Sequence, residues 1–160
     1  MKLTNLFMIV PLSLFSVGAF AAMSEVEGNT VCTNLLSVSE KTTETYDCYY
    51  SGSVGTSNAY AITELDLLLG NADNWSVVDN VWFDNTNKKS STKKKTVTTI
   101  NGVNAKIIHL NNKTFKTVSQ KEINKRLEKD SANFDDVLKC YVADDEGVCV
   151  PYNLSMELGE

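Results

Sequence analysis

Asn101-Gly102 separates two β-branched runs, Val97 to Ile100 and Val103 to Leu110. A two-residue connection of this kind folds back as a type I′ turn, because asparagine and glycine tolerate the positive φ that both central positions require. The pair predicts an antiparallel hairpin, and its neighbours extend it. Trp75-Ser76-Val77-Val78 and Val81-Trp82-Phe83 carry the aromatic and β-branched side chains that suit a pleated surface, with Asp79-Asn80 between them as a bulge. Asn111-Asn112 turns the chain once more into a strand from Thr114 to Val118. The pattern is an antiparallel meander.

Both flanks of the meander are legible in outline. Asn29 to Tyr50 reads as a hairpin, with Val31-Cys32 and Leu35-Leu36 on one arm, Tyr46 to Tyr50 on the other, and a polar turn from Glu40 to Glu44. Ser51-Gly52-Ser53-Val54-Gly55 follows as a loop. Asn58 to Leu69 fits two templates. Ile62, Leu65, Leu68 and Leu69 mark a helical face with Ser57 as cap and Gly70 as stop, while Ala61, Thr63, Leu65, Leu67 and Leu69 alternate as in a strand. The caps favour the helix. Ser119-Gln120-Lys121-Glu122 is a capping box that opens a helix running to about Asp130. Phe134, Val137, Leu138 and Tyr141 keep helical spacing and predict a second short helix after Ser131. Asp144-Asp145-Glu146-Gly147 then turns the chain into a strand at Val148-Cys149-Val150. The expected fold is α+β: a β-rich single domain over 22–160 with an antiparallel meander, one or two helices and two disulfides.

The compartment follows from residues 1–21. Lys2, an apolar run from Leu6 to Phe20 and the small-x-small triplet Ala19-Phe20-Ala21 form a secretory signal peptide. Its roughly 15 apolar residues, broken by Pro11, fall short of the roughly 20 that span a bilayer, and no second stretch reaches that length. No cysteine stands at the cleavage site, which argues against lipoprotein processing. The mature chain is expected to be soluble, without a membrane span, and periplasmic or secreted. In that oxidising setting Cys32, Cys48, Cys140 and Cys149 read as a disulfide framework. Of the three possible pairings, spacing favours Cys32–Cys48 and Cys140–Cys149, since each closes a short loop. A zinc site is not expected, because no C-x2-C element exists and His109 is the only histidine.

Charge is segregated along the chain. From Ala22 to Asn87 ten acids meet one base, from Lys88 to Lys129 twelve bases meet two acids, and from Asp130 onward eight acids meet Lys139. Lys88, Lys89, Lys93, Lys94 and Lys95 sit in Asn85 to Thr96, a stretch without an apolar residue that reads as an exposed loop. They form a candidate basic contact patch for a protein partner or an anionic surface. The alternative is a solvated face that balances acidic flanks. Overall acidity and the lack of an arginine cluster argue against nucleic acid.

No catalytic constellation, cofactor or metal is expected. His109 lies within the apolar run Ile107-Ile108-His109-Leu110, where packing accounts for it better than general-base duty. Ser53 lacks the glycine two residues earlier that a nucleophile elbow needs. Glu64 with Asp66 could serve as paired carboxylates, but such spacing is unremarkable among twenty acids. Asp144-Asp145-Glu146-Gly147 lacks the alternating ligands of a calcium loop. The functional expectation is a small exported, non-enzymatic binding protein, such as a periplasmic inhibitor or immunity protein that occludes a partner. The alternatives are a secreted or surface-attached adhesion factor and, last, a hydrolase of unfamiliar type.

Overall fold

A computed structural model describes residues 22–56, 60–84, 92–128 and 133–157. Eight strands, β1 (Ala22–Ser37), β2 (Thr42–Thr56), β3 (Tyr60–Leu69), β4 (Asn74–Asp84), β5 (Thr92–Ile100), β6 (Val103–Asn111), β7 (Val137–Ala143) and β8 (Glu146–Pro151), follow one another in sequence order. Each runs antiparallel to the next, and β8 pairs back onto β1, closing an up-and-down barrel. Among the described residues two helices, α1 (Gln120–Leu127) and α2 (Tyr152–Glu157), complete the fold, and Leu154 of α2 packs into the interior cluster.

The meander was the coarser part of the expected fold, and closure is the finer fact. Closure is narrow. On the β8 side only Thr33, Asn34 and Leu35 of β1 are paired, with Cys149, Val148 and Gly147. The β5–β6 hairpin likewise pairs only Thr98, Thr99 and Ile100 with Ala105, Asn104 and Val103. The hairpin turns on Asn101 and Gly102, both at positive φ, as its sequence requires.

Alternation explains the interior. Leu65, Leu67 and Leu69 of β3 point inward beside Val77, Ile100, Tyr141, Val148 and Val150, while Glu64, Asp66 and Leu68 face water. The caps misled here, since period-two burial marks Tyr60–Leu69 as a strand and not a helix. The helix expected after Ser131 is also absent from the described residues. Val137 to Tyr141 belongs to β7, which is buried along nearly its whole length because both faces are covered. Tyr141 packs inside, and Leu138, Cys140 and Val142 form an outer cluster with Leu35, Leu110 and Cys149 under Phe115.

Other expectations shift more modestly. Ser51 to Gly55 continues β2 and is no loop. Thr114 to Val118 is a tight return with one bridge, Leu110 to Thr117, held where the Asn111 side chain accepts from the Lys113 and Thr114 amides. β4 passes Asp79-Asn80 without a bulge, and the irregularity falls instead between Trp82 and Phe83. The first turn spans residues 38–41, so β2 begins at Thr42, within the stretch expected to turn. Helix α1 ends at Leu127, and Ser119 caps it by accepting from the Glu122 amide. Ile123 anchors it against Phe134 and Val137, and Tyr152 of α2 stacks on Phe134 at 4.5 Å. Residues 1–21 and 85–91 lie outside the described residues, so the expected signal peptide, Lys88 and Lys89 do too.

Two disulfides brace the barrel. Cys32–Cys48 links β1 to β2 within the interior cluster, and Cys140–Cys149 joins directly paired residues of β7 and β8 in the outer one. Such bonds fit an oxidising, extracytoplasmic setting. Among the described residues no helix is long and apolar enough to cross a membrane.

Candidate interaction surface

Register brings six polar side chains into two rows on the outer face of β1, β2 and β3. Glu25 pairs with Ser53 and Ser53 with Glu64, while Glu27 pairs with Ser51 and Ser51 with Asp66. Each row therefore reads carboxylate, hydroxyl, carboxylate. The short serines leave the middle strand low between flanking acids, and a trough of about 610 Å³ results. Among the described residues no lysine or arginine forms an ion pair with any of these four carboxylates. Tyr49 donates its hydroxyl to Glu27 at 2.7 Å, which fixes that carboxylate at the margin. The same bond, with some burial and the carboxylate charge, raises the proton affinity of the phenol. Carboxylates here stand where a lipid-facing barrel would carry an apolar band, so this face is built for water.

Beside the trough, β1 has a bare flank. It pairs with β2 from Ala22 to Ser37, but β8 ends at Pro151, whose ring nitrogen has no proton to donate. A small groove of about 280 Å³ follows on the outer surface there, lined by Val31, Phe115, Leu138 and Pro151 among others. Val31 is 49 % exposed.

The lysines singled out in the sequence do not join this surface. Lys93, Lys94 and Lys95 occupy positions in β5, not a loop, at the other end of the five-strand run from β1. The Lys95 ammonium sits 5.8 Å from the Trp82 ring. His109 is buried in β6 opposite Lys139 of β7, with Tyr152 at 5.4 Å. Burial first, and then the Lys139 charge, pulls its proton affinity below the ordinary imidazole range. Lys139 is itself buried, donating to Ser155 of α2 at 3.2 Å with its ammonium 5.2 Å from the Tyr141 ring.

Asp145, considered above for calcium, serves as a clasp. Its carboxylate accepts from the Ser37 hydroxyl at 2.6 Å and from the Ser39 amide and hydroxyl at 2.9 Å, tying the β7–β8 turn to the β1–β2 turn. These bonds hold its proton affinity below the usual carboxylate range. Among the described residues no group of histidine, cysteine and acidic side chains is placed to hold a metal ion.

Sequence reading missed the trough because it took Ser51 to Gly55 as a loop and Asn58 to Leu69 as a helix. The signal was nonetheless present. Glu25 with Glu27, Ser51 with Ser53, and Glu64 with Asp66 are all two apart, the spacing that puts side chains on one face of a strand. No family model matches this chain, and no curated protein or solved structure matches it either.

Proposed function

We propose that this protein is an exported, non-catalytic binding protein that occludes a basic region of a partner protein with the outer face of β1, β2 and β3. The observation that supports this reading is the pair of carboxylate–serine–carboxylate rows around the trough. Four carboxylates without a cation in an ion pair repel one another, and a partner that brings lysine or arginine relieves that repulsion. Acidic surfaces also accelerate encounter with basic partners, which suits an inhibitor or an immunity protein that must reach its target first.

The test uses the mature chain, residues 22–160, immobilised and exposed to extracytoplasmic proteins of its native cells. A specific partner is expected to be retained at low salt, weakened as salt rises, and lost on the Glu64→Lys/Asp66→Lys variant. Equal retention by that variant at matched folding removes the acidic face from the contact. The adhesion reading draws on the exposed Lys95 and its place in β5. It predicts binding to anionic surfaces that disappears with Lys95→Glu and is indifferent to Glu64→Lys/Asp66→Lys.

A further inference from the structure

We propose that the flank of β1 over residues 24–30, which no described strand pairs, accepts an extended, lysine-bearing segment of the partner protein as an added antiparallel strand. The inference rests on the binding reading above and specifies its mode. In β1 every residue from Ala22 to Leu35 is in register with β2, whereas on the opposite side β8 pairs only with Thr33, Asn34 and Leu35. The register carries β8 to Pro151 opposite Val31, and beside residues 24–30 no described strand follows, because the chain then leaves the ladder and enters α2. Alternate amides and carbonyls along that flank therefore point into a lane that no described strand fills, a template for another strand.

The two open flanks of the sheet are built differently. Beyond Thr98 the outer side of β5 is also unpaired, but that strand carries three successive lysines. Its register with β4 passes from Trp82–Lys95 to Phe83–Lys93, leaving Lys94 as a bulge. Lysines and bulges are the usual means of blunting a strand edge. From Ala22 to Leu35, β1 has no lysine, no proline and no irregularity. Its only charges are Glu25 and Glu27, which reject an acidic strand and admit a basic one.

Side-chain positions fix the kind of segment. Glu25, Glu27, Asn29 and Val31 alternate on the outer face of β1, and an incoming strand sets its own outward residues beside them. A strand that continues the direction of β8 begins past Pro151, its leading side chain lying over the groove of Val31, Phe115 and Leu138, and then meets Glu27 and Glu25. The matching segment has an apolar residue, then a lysine two positions on and another two positions beyond that. Those lysines lie at the edge of the trough, within the field of Glu64 and Asp66.

The probe is acetyl-Val-Thr-Lys-Thr-Lys-Thr-amide, titrated into the mature chain by fluorescence anisotropy with hydrogen exchange read in parallel. Binding is expected, with new protection at alternate amides among residues 24–30. Replacing both peptide lysines by glutamate, or making Glu25→Lys/Glu27→Lys, is expected to weaken it at least about tenfold. N-methylating one alternate set of peptide amides is expected to abolish binding, and N-methylating the other set to leave it. If both N-methylated peptides bind as well as the parent while Glu64→Lys/Asp66→Lys abolishes binding, the acidic face works without strand addition; the mode is then wrong and the binding reading survives. No binding by the parent peptide, or binding indifferent to every charge reversal, overturns the proposal. Self-association of the mature chain that Glu25→Lys/Glu27→Lys disperses, without peptide binding, assigns the lane to a second copy and overturns it as well.

Discussion

Thr98 donates its hydroxyl proton to Asp79 across 2.8 Å inside the barrel, where both residues are buried. Inward position on β4 and β5 brings them together, for they are direct cross-strand partners. A carboxylate held away from water depends on such a donor, because a missing bond leaves its desolvation unrelieved. Thr98→Val keeps the shape and removes the proton, and it is expected to cost about 1–3 kcal/mol in urea unfolding. Thr98→Ser keeps the donor and should lose clearly less. Equal losses would show that the threonine methyl, not the hydroxyl, is what matters at this position.

His109 provides a clean pH probe, being the only histidine in the chain. Burial and Lys139 hold its folded proton affinity below the ordinary value near 6.5. The unfolded chain therefore binds the proton more readily over the interval between the two values. The contribution to stability is complete above pH 6.5 and is lost as pH falls through the folded value. His109→Gln should flatten that part of the stability profile. Proton NMR should place the ring titration below the ordinary imidazole range, and Lys139→Met should raise it part of the way, since burial persists. A ring that titrates at or above the ordinary value contradicts the packing around β6 and β7.

Where one residue pair or one face decides a local structure, sequence and structure agree. Asn101-Gly102 sets its turn through two positive φ angles, and Ser119 with the Glu122 amide starts α1. The disagreements arise where tertiary burial decides. Val137 to Tyr141 is covered on both sides, so its strand carries no polar alternation, and the apolar spacing reads equally well as a helix. For Asn58 to Leu69 both periods were present, and plausible caps at Ser57 and Gly70 outweighed the alternation of Leu65, Leu67 and Leu69. Closure was not legible at all. Pairing of Thr33 with Cys149 depends on how far the whole sheet twists, which no local pattern records. The acidic trough inherits that difficulty, as its three residue pairs come from strands whose register had first to be known.

Ala72 occupies the turn between β3 and β4 at φ 71°. Its amide donates to the Leu69 carbonyl at 2.9 Å, so the backbone is held in the left-handed region by the turn itself. An alanine there pays a steric cost of roughly 1 kcal/mol that glycine avoids, partly offset by the greater freedom of glycine in the unfolded chain. Ala72→Gly is expected to stabilise the protein by up to about 1 kcal/mol, seen as a higher urea midpoint with an unchanged slope. A lower midpoint would place this turn in another conformation.

The two disulfides lie in different clusters, one interior and one outer, and both are buried. In the chain-entropy account each short loop contributes about 3 kcal/mol, with little difference between separations of 16 and 9 residues. Cys32 and Cys48 pack with Leu67, Leu69 and Val148 in the interior, while Cys140 and Cys149 are fully buried in the outer cluster, so either double alanine replacement removes buried sulfur as well as the bond. Cys140 and Cys149 lie on the outer side beneath Phe115, and β7 and β8 stay paired on either side of them. Cys32→Ala/Cys48→Ala and Cys140→Ala/Cys149→Ala are therefore expected to lose comparable stability, within about 1 kcal/mol of each other. Thermal unfolding of both variants, each with its remaining bond verified by non-reducing peptide mapping, reads the difference. If the outer pair proves the costlier by more than that, closure through β7 and β8 limits the stability of the barrel more than its interior packing does.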